Sequence, residues 1–269
     1  MSFYKTPLTS EAFNKAVNEL LALHPFINHA VIGTSRRGLP LQALTVGYGE
    51  KSVLINATHH ANEWLTTLIL MRFLEEYADK IPEHITLHCI PLVNPDGVDC
   101  LNAQTPPYPS DWKANLCGVD LNSNYPAGWE IARARKFENG YTTAGARDYV
   151  GERPLCEPES SAMVAYTVYH DIDLTVSLHT QGEEIYWRYM DYNPLGAEEL
   201  ARRFAEVSGY ECVDVPNESS HAGYRDWFIA TFNRPGFTIE CGVGENPLPV
   251  GVFDGVYERV SRILWESVL

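Results

Sequence analysis

No stretch of this 269-residue chain approaches the ~20 consecutive apolar residues that a membrane-spanning helix needs. None of its six cysteines (Cys89, Cys100, Cys117, Cys156, Cys212 and Cys241) belongs to a CxxC pair or stands beside clustered histidines. That argues against a thiol-rich zinc site and leaves the expectation of free thiols in a reducing compartment. Cys89 and Cys241, set inside apolar runs, read as small core residues. Positive charge is short: 20 Lys and Arg face 35 Asp and Glu, a formal net charge of −15. Such an excess argues against nucleic acid or an anionic membrane surface as partner. It says little about small substrates, because a local pocket can carry the opposite sign. The opening stretch, "MSFYKTPLTSEAF", lacks the charged-then-apolar layout of a secretory signal, so a cytoplasmic location is the expectation. Internal repeats, low-complexity tracts and linkers are missing as well. One domain is therefore expected over residues 1–269, with residues 1–25 as an N-terminal helical extension packed on it.

What is present is a regular alternation. Hydrophobic residues make up 45% and charged residues 20%, the proportions of a folded globular chain. "SEAFNKAVNELLALHP" places Phe13, Val17, Leu20 and Leu21 on one helical face and stops at Pro25. "NHAVIGTSRRGLPLQALTVG" reads as two strands around an Arg-Arg-Gly turn. A strand over "KSVLINATHH", a buried helix over "ANEWLTTLILMRFLEEYADK" and a strand over "ITLHCIPLVNPDG", ending in an Asn-Pro-Asp-Gly turn, follow. Residues 102–156 are rich in Pro, Gly, Asn and Tyr with little periodicity, and long loops of this kind are usually functional. Beyond them come a helix opened by Pro158, a strand over "DIDLTVSLHTQG", a helix over "GAEELARRFAEVSGY", a strand over "FTIECGVG" and a closing amphipathic helix. Strands alternating with helices predict an α/β fold: a single-domain α/β/α sandwich around a mainly parallel, mixed and twisted sheet.

Three apolar strands end in polar residues: "VLINATHH", "LTVSLHTQG" and "FTIECG". Ligands of open α/β sheets bind outside the carboxyl ends of the strands. His60, His179 and Glu240 thus fall on one rim, and Glu63 enters with the helix after His60. Of the adjacent histidines, His59 has Asn62 three positions on, whereas His60 has Glu63. Only the second pair offers an imidazole and a hard carboxylate at a spacing that lets both reach one cation. His60, Glu63 and His179 form a His₂Glu set, the ligand set of catalytic zinc sites that keep a fourth position for water. Glu240 remains free as the base that takes a proton and hands it to the leaving amine. A carboxylate between Ile239 and Cys241 is costly to bury without such a purpose.

These motifs resemble the zinc carboxypeptidase family over nearly the whole chain from about residue 26. "HHANEW" matches its HxxE element, "NPDG" the following turn, "GVDLNSNY" the substrate loop, "SLHTQG" the third ligand and "FTIECG" the catalytic glutamate. The resemblance implies one zinc per chain. It makes Asp120 the carboxylate that orients His60, a role that metal-site physics also expects. It further places Asn122, Ser123 and Arg225 at the substrate, and Arg147, a cation of the irregular region, is expected there as well. "SDWKANLCGVDLN", "YPAGWE", "RDYVGERPLCEPE" and "HTQGEEIYW" look like the branch of γ-D-glutamyl-L-diamino acid endopeptidases and murein peptide amidases. The substrate implied is a murein peptide, cut between γ-D-glutamate and diaminopimelate.

The chain also departs from the family pattern. Carboxypeptidases read "LNRN", the arginine gripping a terminal carboxylate, where this chain has Asn122-Ser123-Asn124. Relatives commonly carry, at Cys117, an arginine that would polarise the scissile carbonyl. Losing that charge costs on the order of 3 kcal/mol unless Lys113, Arg147 or Arg153 replaces it. The tyrosine that caps the pocket in carboxypeptidase A falls, by spacing, near Glu218. Competing readings are a metallocarboxypeptidase, an aspartoacylase-like deacylase, and a zinc-containing module that binds murein peptides with little or no cutting.

Overall fold

Thr9 opens the first helix by accepting a hydrogen bond from the Ala12 N–H at 3.1 Å. In this computed structural model, which describes residues 7–102, 108–216 and 220–269, helix α1 (Ser10–Leu23) buries Phe13, Ala16, Val17 and Leu20. The two strands around the Arg-Arg-Gly turn are β1 (Asn28–Thr34) and β2 (Pro40–Val46). After them run β3 (Lys51–Ala57), α2 (Leu65–Tyr77), β4 (Ile85–Ile90), α3 (Pro95–Leu101) and α4 (Trp129–Glu138). The second half holds α5 (Pro158–Tyr169), β5 (Leu174–His179), β6 (Glu184–Tyr186) and α6 (Ala197–Ser208). It closes with β7 (Glu211–Cys212), α7 (Tyr224–Phe232), β8 (Gly236–Glu240) and α8 (Phe253–Glu266).

The strands form one sheet in the order β1-β2-β4-β3-β5-β8-β6-β7. Its four central strands are parallel: β4 with β3, β3 with β5, and β5 with β8. Antiparallel pairs flank them, β1 and β2 on one side and β6 against β8 on the other. The sheet is therefore mixed, with the expected parallel centre. Every residue of β5 is buried, as a strand covered on both faces requires. Val53, Ile55 and Ala57 face a core built with α1, α2, α6 and α8, whereas Leu54 faces Met163, Tyr166, Tyr224 and Trp227 of α5 and α7. Strand alternation thus feeds two cores from one sheet.

Three helices and the short strands β6 and β7 lie where the sequence reading expects none. The Asn-Pro-Asp-Gly turn is the start of α3: the Asn94 side chain accepts from the Gly97 N–H at 2.9 Å, and Pro95 sits where its missing N–H costs nothing. The aperiodic stretch 102–156 contains α4, which buries only Trp129, Ala132 and Lys136, too few for an apolar rhythm. Helix α7 lies in a stretch that carries no recognised pattern, because Arg225 and Asp226 are buried in it beside Tyr224 and Trp227. All six cysteines are free, and Cys89 and Cys241 are core residues. No helix among the described residues is long and apolar enough to cross a membrane.

Candidate metal centre

β3 ends at Ala57, and the chain turns at Thr58 with φ +56°. Its hydroxyl meets those of Thr66 and Thr67 at 2.9 and 2.7 Å, and its N–H donates to Thr66 Oγ1 at 3.1 Å. Three threonines therefore hold a left-handed elbow that a β-branched residue rarely adopts. The elbow sends the adjacent histidines in different directions. His59 turns inward to the Tyr125 hydroxyl at 2.9 Å, and burial, then His179 and His60, push its pKa well down. His60 begins a single 3₁₀ turn, Ala61–Glu63. With three residues per turn, side chains three apart eclipse, so Glu63 folds back onto His60.

The Glu63 carboxylate is the hub. Its Oε1 lies 2.8 Å from His60 Nδ1 and 3.3 Å from Lys113 Nζ. Its Oε2 lies 2.8 Å from His179 Nδ1 and accepts from the Thr180 N–H at 3.2 Å. Ligand atoms of His60, Glu63 and His179 all fall within 4.8 Å of one another, the one such group among the described residues. Asp120 Oδ1 stands 3.1 Å from His60 Nε2, which leaves Nδ1 to face the carboxylate. Both imidazoles thus turn the same kind of nitrogen toward one buried carboxylate, and an outer carboxylate fixes one ring. This donor set fits a zinc ion.

The charges around the cluster are strongly coupled. Burial opposes protonation of His60, but Glu63 and Asp120 outweigh it and raise its pKa to about 9. Burial would raise the Glu63 and Asp120 pKa values, yet the cations facing them hold both well below the usual range. For His179 burial wins over Glu63, and its pKa falls. Glu240 ends β8 in register with His179 of β5. Burial, followed by Glu63, raises its pKa to about 8 against the pull of Lys113 and His60.

A cavity of about 430 Å³ opens over the cluster, and Glu240, Asn122, Arg147 and Arg225 share its wall with the ligands. Asn122 braces the loop: its N–H donates to Asp120 Oδ1 at 3.0 Å, and its own Oδ1 accepts from the Tyr224 N–H at 3.0 Å. Arg147 is paired with Asp148 at 2.7 Å. Arg225 is 5% exposed; its Nε and Nη2 go to Asp226 Oδ1, while Nη1 has no partner among the described residues. Ser123 is buried and off the wall. Cys117 is exposed, away from the cavity, its N–H tied to Asn115 Oδ1 at 3.0 Å. Of the three replacement cations, Lys113 and Arg147 line the cavity and Arg153 does not. Glu218 lies outside the described residues.

Sequence reading passed over Asn94 as a site residue. Its side-chain amide donates to the carbonyls of His59, Ala114 and Lys113 at 3.0, 3.2 and 3.4 Å. The Lys113 carbonyl also accepts from the Ala61 N–H at 3.0 Å, so the lysine loop is stitched to the metal turn. The Asn-Pro helix-start signature was the signal that placed Asn94 at a chain reversal.

Residues 13–249 match the protein family described as zinc carboxypeptidase. "Gamma-D-glutamyl-L-diamino acid endopeptidase 1" of Lysinibacillus sphaericus is 37% identical over 277 residues, covering 92% of this chain and 68% of that protein. The protein YqgT of Bacillus subtilis (strain 168) is 37% identical over 290 residues, covering 96% and 76%. Among solved structures, bovine thrombin-activatable fibrinolysis inhibitor matches with a TM-score of 0.81 at 20% identity, over 99% of this chain and 98% of that one. A murein-tripeptide amidase from Escherichia coli O157 matches with a TM-score of 0.60 at 22% identity, over 89% and 92%. At these identities the two structures speak for the shared α/β fold.

Proposed function

The chain belongs to the zinc carboxypeptidase family, and from that premise we propose that it hydrolyses the amide between γ-D-glutamate and meso-diaminopimelate in murein peptides. The metallopeptidase chemistry is the family's. The choice of bond has its support in the Lysinibacillus sphaericus relative, named for a γ-D-glutamyl-L-diamino acid bond. The observation that carries the substrate is Arg225. Arg225 is 5% exposed on the wall of the metal cavity; Asp226 neutralises it, but its buried Nη1 has no partner among the described residues, a donor that an anionic substrate group would satisfy. A leaving residue with a second carboxylate meets that need by a charge-assisted contact. No arginine stands at position 123 to grip a chain-terminal carboxylate, which favours this reading over a carboxypeptidase.

His60, Glu63 and His179 would hold the zinc ion, with Asp120 fixing His60. Bound there, zinc supplies Lewis acidity, drawing the pKa of water toward neutrality and polarising a carbonyl oxygen. Glu240, across the cavity rim, accepts the proton of the attacking water and returns it to the leaving amine. Lys113 is the cation that reaches the ligand carboxylate, and its backbone is anchored by Ala61 and Asn94. That contact and its place on the cavity wall support a role for Lys113 in meeting the negative charge that would develop on the carbonyl oxygen, the role that position 117 leaves unfilled.

The test is turnover of L-Ala-γ-D-Glu-meso-diaminopimelate by the zinc-loaded protein, beside the analogue ending in lysine. We expect free diaminopimelate as product, with kcat/KM roughly 10- to 150-fold above that for the lysine peptide. Arg225→Ala should collapse that ratio. No cleavage, or equal rates on both peptides in the wild type, overturns the reading.

A further inference from the structure

Arg225 also lines a second cavity, of about 350 Å³, and Val215 is shared by both. This outer chamber lies beyond the metal cavity and is bounded by Arg188, Asp214, Ser220 and His221. Its walls carry two guanidinium groups, Arg188 and Arg225, and one carboxylate, Asp214. Arg188 Nη1 and Asp214 Oδ1 stand 3.9 Å apart, a loose pair with both side chains largely in solvent, at 57% and 83% exposure. The Arg188 guanidinium rests on the Trp187 ring at 4.4 Å, so its position does not depend on Asp214. His221 is held by the Tyr189 hydroxyl at 3.0 Å. At the junction between the chambers sits the buried Arg225, with its leftover Nη1.

A lone carboxylate entering here would meet the guanidinium groups but also face Asp214. A lone ammonium would meet Asp214 but face Arg225 and Arg188. A group carrying both charges on one carbon satisfies every one of them. We infer that the outer chamber is a binding subsite for a zwitterionic amino-acid head at the far end of the leaving residue's side chain. Arg225 and Arg188 take its carboxylate and Asp214 takes its ammonium. This rests on the proposed reaction and adds to it a site that reads the distal amino group. Asp214 and Arg188 exchange their weak mutual contact for two contacts with the substrate.

Three peptides separate the claims, L-Ala-γ-D-Glu joined to meso-diaminopimelate, to L-2-aminopimelate (distal carboxylate kept, distal amine absent) and to L-lysine. In the wild type the aminopimelate peptide should show kcat/KM about five- to tenfold below the diaminopimelate peptide. In Asp214→Asn, a surface change that leaves packing alone, the two should converge to within about twofold. Equal rates on these two peptides in the wild type, or a gap that survives in Asp214→Asn, overturns the outer subsite while leaving the reaction standing. Failure to cut any of the three overturns both.

Discussion

At the scale of single residues, the proposed reaction divides the site between groups that would hold the ion and one that would move a proton. Glu240→Gln keeps the shape of the side chain and removes its basicity. Zinc should stay bound at one per chain while turnover falls by roughly 10²-fold or more. His179→Ala should do the opposite first, losing stoichiometric zinc by metal analysis. Zinc retained in full by that variant would break the ligand assignment. The choice between the adjacent histidines was legible in the sequence, because a carboxylate three positions on from His60 can return to it and Asn62 after His59 offers none. The structure adds the reason that both are buried, with His59 anchored on Tyr125. Lys113 was not separable from Arg147 and Arg153, since all three lie in a segment without periodicity. Backbone hydrogen bonds with Asn94, Ala61 and Ala146 hold its loop where Nζ reaches Glu63.

At the scale of elements, the start of α5 carries a strain that pH should reveal. Glu157, just before the helix, pairs with Arg36 at 2.9 Å and accepts from the Asn115 amide at 2.7 Å. Glu159, in the first turn, has no such cation among the described residues. Burial, with Glu157 and Asp96 adding repulsion, raises its pKa from 4.5 to about 7. A carboxyl raised in the folded state binds its proton more tightly there than in the unfolded chain. Its contribution is intact below pH 4.5 and is lost as pH rises through 7. Glu159→Gln should therefore match the wild type near pH 4.5 and be more stable at pH 8, by on the order of 2–3 kcal/mol. Thermal or denaturant unfolding at the two pH values measures this, and a pH-independent difference would show that ionisation of Glu159 is not the cause. Elements with strong apolar rhythm, such as α1, β3, β5 and α8, could be read from the sequence. Helices α3, α4 and α7 could not, because buried polar groups and caps rather than apolar stripes define them.

At the scale of the whole molecule, a ligand that binds only the folded chain adds to its stability. Zinc at 100 times its dissociation constant contributes about 2.7 kcal/mol. For a chain of this size that is roughly 5–10 °C in Tm. Calorimetry with and without a chelator should show such a drop, and an unchanged Tm would mean that no ion is held. The parallel centre of the sheet was legible because its strands alternate with helices along the chain, whereas the antiparallel flanks and short β6 and β7 carry little pattern. The strand order has a further consequence for how the molecule comes into being. His179 meets Glu63 across 116 residues of sequence, and Glu240 arrives on β8 later still. On the proposed assignment, a chain emerging from the ribosome therefore holds the first two ligands long before the third, and the proton acceptor comes last. Closing such distant segments is slow. Hydrolytic power is thus withheld during synthesis, and a fragment that stops short of β8 is a harmless one.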